Sequence, residues 1–157
     1  MQHNNSDTIY ITPQGLKKLQ DELADLIRNK RPAVTQRIKD AKELGDLSEN
    51  AEYITAREEQ AVIEGRIMES QDILKKIQVV ATPRSKQIVK IGSRLKVKSK
   101  SKIFEYTIVG STEANPAKGE ISNESPLGRG FLGRKKGEAV EISVPAGKIK
   151  FTIMEIF

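Results

Sequence analysis

The chain has no cysteine, no tryptophan and one histidine among its 157 residues, and each scarcity removes a class of chemistry. Without thiols there is no disulfide framework, thiolate zinc site, iron–sulfur cluster or cysteine nucleophile, which fits a reducing cytoplasm. His3, in a polar leading segment, cannot by itself build a histidine metal cluster or complete a Ser-His-Asp triad. No apolar run approaches the ~18 residues that span a bilayer. Met1 to Thr8 has neither the apolar stretch nor the small-residue cleavage site of a signal peptide. A cytoplasmic protein without membrane contact is expected. Its chemistry must rest on carboxylates, hydroxyls, lysine and arginine, or on a partner's active site.

What the chain does have is charge, unevenly placed. It carries 27 Lys+Arg against 21 Asp+Glu, a net charge of +6. Residues 1–80 hold 12 basic and 14 acidic side chains, whereas residues 81–157 hold 15 and 7, so the two parts stand near −2 and +8. The first part is rich in Leu, Ala, Glu, Gln and Lys; the second gathers Val, Ile, Gly and most of the aromatics. Two domains are expected, residues 1–80 and 81–157.

In the first, Thr12-Pro13 pairs a good N-cap with proline at the first helical position, where its missing N–H costs nothing. Leu16, Leu19, Leu23 and Leu26 then recur at three, four and three, the seam of a coiled coil. Val34, Ile38 and Ala41 extend it, Pro32 should kink the helix without ending it, and Gly45 stops it. A second helix carries Ile63, Ile67, Ser70, Leu74 and Ile77 at four, three, four and three, and should end at Ala81 to Pro83. Two helices of ~30 residues joined by so short a link must form an antiparallel hairpin with arms of roughly 45 Å.

The second part reads as strands at Ile88 to Val97, Phe104 to Val109, Glu120 to Ser122, Ala139 to Val144 and Ile149 to Ile156. A short helix is expected over Pro126 to Leu132. The fold class is therefore α+β: a helical hairpin, then a small antiparallel sheet with one short helix. Gly128-Arg129-Gly130-Phe131-Leu132-Gly133 matches the G-x-G-x-x-G string of dinucleotide-binding loops, but without a preceding strand that has a parallel partner these glycines are read as serving turns. Arg94, Lys96, Lys98, Lys100 and Lys102 form a basic stripe. It is either a solvated, edge-protecting face or a contact for phosphates or an acidic protein surface. With five Phe or Tyr in this part, base-stacking platforms are poorly supplied.

The link between the helices, Gly45-Asp46-Leu47-Ser48-Glu49-Asn50-Ala51-Glu52-Tyr53, has two readings. Asp46 and Glu49 have the spacing of a capping box for the second helix. Equally, three carboxylates, Asp46, Glu49 and Glu52, crowd with the amide of Asn50 at the end of a lever. Two carboxylates make only half a magnesium site, because that ion prefers six oxygens.

This segment, with Ala56-Arg57-Glu58, Ile63-Glu64-Gly65-Arg66-Ile67, Ser125-Pro126-Leu127-Gly128-Arg129 and Pro145-Ala146-Gly147, resembles the bacterial Gre transcript-cleavage factors, nearest the GreA type. The likeness runs from Tyr10 to Ile156. It implies a coiled-coil hairpin followed by an FKBP-like domain that binds RNA polymerase and needs no isomerase activity. It further implies a hairpin inserted into the polymerase secondary channel, with Asp46 and Glu49 sharing a Mg2+ ion with polymerase so that the 3′ end of backtracked nascent RNA is cleaved and synthesis resumes. The free protein would hold no tightly bound ion, would not itself be an enzyme, and would act as a monomer. Lys42 and Arg57 match the family's RNA-contacting basic patch. Lys42 stands where arginine is frequent, which keeps the charge and loses the bidentate fork. Ser48, Asn50, Glu52 and Tyr53 would support the tip. The competing functions are a non-cleaving channel inhibitor or adaptor, a prolyl isomerase, and a free nucleic-acid binder.

Overall fold

The structure, a computed structural model, describes residues 8–43, 51–81, 83, 86–144 and 147–157. The backbone divides into two compact units, Lys17–Lys76, and Met1–Leu16 together with Ile77–Phe157.

The helical unit is the hairpin that the apolar spacing requires. Strand β1 (Ile9–Ile11) leads into α1 (Pro13–Asp25), a π-helical turn (Leu26–Lys30) and α2 (Arg31–Glu43). Thr12 caps α1 as expected: its Oγ1 accepts from Gly15 N–H at 3.0 Å. The proline kink resolves into something more specific. From Leu26 to Val34 is eight residues, one more than the heptad seam allows, and the π turn absorbs that extra residue. Arg31 N–H donates to Leu26 O, five residues back, just ahead of Pro32, which has no N–H to give. Leu26, Val34 and Ile38 thereby stay on one face.

Helix α3 (Ala51–Lys76) returns against them, with Ala56, Ile63 and Ile67 in the same buried cluster. Three arginines cross the seam. Glu22 accepts from Arg66 Nε at 2.7 Å, Glu64 accepts from both Nε and Nη2 of Arg31 at 2.7 and 2.5 Å, and Arg37 reaches Glu52 and Glu59. One partner's number rises as the other's falls, so the arms are antiparallel. The Arg66 bond holds the Glu22 carboxyl below the usual range and outweighs the opposing effect of partial burial. Ser70 is fully buried in the seam, and its Oγ has no hydrogen-bond partner among the described residues.

Helix α3 ends at Lys76, earlier than the periodicity suggests, because Ile77 leaves it to start β2 (Ile77–Val79). That strand pairs in parallel with β1, Ile9 opposite Ile77 and Ile11 opposite Val79. Val80 N–H extends the pairing to Ile11 O at 2.9 Å, and Ile11 is 1% exposed. Beside it, the Glu113 carboxylate accepts from Thr12 N–H at 2.7 Å, from the Thr12 hydroxyl, and from Gly110 N–H at 3.3 Å. A Cβ on Gly15 would lie 2.1 Å from that carboxylate, so the clasp closes only over a glycine.

The rest of this unit is a five-stranded sheet in the order β5 (Glu120–Ser122), β4 (Lys102–Val109), β3 (Arg94–Ser99), β7 (Gly147–Ile156), β6 (Ala139–Val144). Its ladders are antiparallel except β4 with β5, which is parallel. The expected strand from Ile88 starts only at Arg94; Ile88 makes an isolated bridge to Lys135. Leu95, Val97, Ile108, Val140, Phe151 and Ile153 turn to the face covered by the short helix α4 (Pro126–Phe131), whose Phe131 is fully buried among them.

The parallel strand before the glycine string is present after all, and the string is still not a phosphate loop. Ser125 Oγ occupies Gly128 N–H at 3.1 Å, and a Cβ on Gly128 would lie 2.0 Å from Ser122 O. Gly128 thus lets the helix start press on the strand end, while Gly133, at φ +77, makes the turn that follows.

The two buried anomalies give opposite expectations in chemical denaturation. Ser70→Ala should raise stability by about 1 kcal/mol, since it removes a buried hydroxyl left without a partner. Ile11→Ala should lower it by about 2–5 kcal/mol.

Candidate functional site

Asp46, Ser48, Glu49 and Asn50, with the rest of residues 44–50, lie outside the described residues. What is described is the ground on either side of them: the last turn of α2 with Lys42 and Glu43, and the first two turns of α3 with Glu52, Tyr53 and Arg57.

The helix ends are close because two alanines let them be. Ala41 is 1% exposed and Ala56 fully buried. The cross-links Arg31 to Glu64 and Arg37 to Glu59 set a register in which these two positions oppose each other. A larger residue at either would wedge the arms apart next to the link.

On this frame sit the predicted basic residues. Lys42 Nζ lies 5.9 Å from the Tyr53 ring centroid, a cation–π contact that steadies an exposed ammonium without neutralising it. Tyr53 and Arg57 are one turn apart on α3 and so share a side of the helix. Lys42, Tyr53 and Arg57 thus stand along one side of the hairpin end. Arg57 is exposed and donates to Gln60 Oε1 at 2.7 Å, an amide that leaves its charge available.

Glu52 has a different part from the one its sequence position suggests. Its Oε1 accepts from Arg37 Nε at 3.0 Å and from Arg37 Nη2 at 2.7 Å, and the same guanidinium also reaches Glu59. These bonds, the one to Glu52 foremost, raise the Arg37 pKa above its ordinary value. Arg37 therefore ties the first and second turns of α3 to α2 and uses up one of the three carboxylates of the acidic stretch. Asp46 and Glu49 remain as the carboxylates without a described partner. Arg37 carries no local signal; it is found only by laying the two helices side by side in the seam register. Among the described residues no group of three His, Asp or Glu side chains could hold a metal ion.

Comparison with known proteins gives a consistent result over the whole chain. Residues 9–79 match the family model described as transcription elongation factor, N-terminal, and residues 84–157 match transcription elongation factor, GreA/GreB, C-term. The transcription elongation factor GreA of Oenococcus oeni is 48% identical over 141 residues, 88% of this chain and 87% of that protein. The one from Acetivibrio thermocellus is 47% identical over 151 residues, 94% and 95% of the two chains. Among solved structures, GreA factor homolog 1 of Thermus thermophilus is 25% identical, covers 96% of this chain and 99% of its own, and superposes with a TM-score of 0.45.

Ala56→Leu should test the close approach beside the link. Overpacking there should cost about 1–3 kcal/mol in denaturant unfolding. It should also speed amide exchange in residues 51–57 relative to the sheet.

Proposed function

The chain belongs to the GreA/GreB family of transcription elongation factors, and we propose that it works by entering the secondary channel of RNA polymerase and stimulating cleavage of the 3′ end of backtracked nascent RNA. The observation that carries this reading is a hairpin held in register by buried packing and crossing arginines, whose two helix ends are joined by a link bearing Asp46 and Glu49.

The donor set fits Mg2+. Carboxylates are hard oxygen ligands, and two of them leave most of the ion's six positions for polymerase, RNA and water. When bound, the ion supplies charge neutralisation and an activated water for phosphodiester hydrolysis. The chain's own residues bring and orient. Asp46 and Glu49 offer oxygens at the end of the hairpin; Lys42 and Arg57 offer positive charge on one side of it, suited to holding the phosphates of extruded RNA. Arg37 takes Glu52 out of the contest for both. This division also explains why the chain lacks a complete site: the reaction is polymerase's, and this protein, acting as a cytoplasmic monomer, is an accessory to it and no enzyme itself. Residues 81–157, with their excess of basic charge, anchor the factor on polymerase outside the channel.

The test uses stalled elongation complexes with binding measured in parallel. Asparagine caps a helix about as well as aspartate, so Asp46→Asn keeps any capping role and removes the metal-attracting charge. Asp46→Asn and Glu49→Gln should each abolish stimulated cleavage while still occupying the channel, with partial recovery at raised magnesium. A normally bound, active Asp46→Asn variant would sink the assignment. Lys42→Ala combined with Arg57→Ala should lower cleavage more than affinity, and equal losses in both would show a purely structural role.

A further inference from the structure

The function above makes no use of an open groove at the end of the sheet where β3 turns into β4 and β7 begins. Its floor is apolar: Phe104, Tyr106 and Leu127 are half-buried there against the core, with Phe151 beneath. Its rim is basic: Lys98, Lys100 and Lys102 come from the β3–β4 hairpin, and Lys148 and Lys150 from β7. Glu141 is ion-paired with Lys148 at 2.8 Å. Among the described residues Lys98, Lys100, Lys102 and Lys150 form no ion pair. Lys100 sits at φ +52, a left-handed position that glycine or asparagine would occupy at less cost, so the hairpin holds a lysine at the groove mouth against its backbone preference.

The dimensions and the rings decide the kind of occupant. At about 1280 Å³ the groove exceeds the ~300–1,000 Å³ of small-ligand pockets. Nucleic acid would need a free aromatic face to stack a base. The rings are instead engaged with one another: Phe104 and Tyr106 are parallel to within 6° at 5.9 Å, and Phe151 meets Phe104 edge-on at 6.3 Å. An aliphatic or aromatic side chain needs only apolar contact with such a floor. Lysine ammonium groups on flexible stems pair with carboxylates wherever these fall along the rim.

We propose that this groove binds an acidic protein segment that lays an apolar side chain on the Phe104–Tyr106–Leu127 floor while its carboxylates meet Lys98, Lys100, Lys102 and Lys150. The inference stands independently of the cleavage reading, because every residue in it belongs to the sheet unit.

The test takes the full chain and a fluorescent synthetic peptide with a Leu-Phe centre flanked by Asp and Glu, followed by anisotropy. Lys98→Glu with Lys150→Glu should weaken binding by roughly tenfold, two charge pairs being turned repulsive. Lys17→Glu with Lys18→Glu, which alters the net charge equally on the exposed face of α1, should leave affinity unchanged. Replacing the peptide's Leu-Phe by Ser-Ser should also weaken binding, and raised salt should do the same. Equal losses from the two double variants, or indifference to Ser-Ser, would overturn the proposal. So would a single-stranded RNA that binds more tightly than the peptide and depends on the same Lys98 and Lys150.

Discussion

The arrangement of the hairpin depends on one constraint, the burial of a narrow apolar seam between two helices that have little else in common. Leu26, Val34 and Ile38 must face Ala56, Ile63 and Ile67, and no other rotation of either arm hides these residues from water. The π turn is a consequence, since without it the residues beyond Pro32 would drift off the seam. So are the crossing pairs of Arg31, Arg37 and Arg66. They are partly exposed and individually weak, and they act as register marks on a contact whose driving force is hydrophobic. A link of seven residues between helix ends fixed in this way needs no metal and no core of its own to be presented.

The sheet unit solves a different problem. It is small, and part of its core comes from far away in sequence: Ile11 packs beside β2, and the Thr12–Glu113 clasp joins residues 101 positions apart. The same carboxylate serves an N-cap residue and the turn at Gly110, so three donors that would otherwise compete for water are satisfied by one side chain. Its basic residues fall into two groups. Arg94 is engaged by Glu105 at 2.6 Å and stacked near Phe157, whereas the lysines at the far end of the same strand stand clear of such partners.

Much of this was legible in the residues. Leucines at three and four give the first arm, and the run at Ile63, Ile67 and Ser70 gives the second, because burial of a stripe leaves a period in sequence. The Thr12 and Ser125 caps were equally plain, each followed by proline. The eight-residue step from Leu26 to Val34 was also visible, though only as a rough extension of the seam until the π turn gave it meaning. What left no trace was whatever pairs across distance. The three-residue strands β1 and β2 are too short for alternation, and the parallel partner of β5 cannot be read from either strand alone. At the candidate site, Lys42, Tyr53 and Arg57 were named correctly as neighbours, but the diversion of Glu52 to Arg37 depends on a register that only the assembled arms define.

The parallel pairing of β1 with β2 makes the hairpin an excursion from the sheet unit. The chain leaves after Ile11 and comes back at Ile77 to lie beside the strand it left. Both ends of the excursion are thus pinned at neighbouring points, and the sheet unit has no need to know how long the arms are. Turns added or removed in matched pairs would shift the reach by about 5.4 Å each and leave every contact of the sheet untouched. A change in one arm alone would have to be absorbed locally, as the single extra residue before Val34 already is. Length in this architecture is therefore a quantity that can vary by whole helical turns, independently of the surface that anchors it.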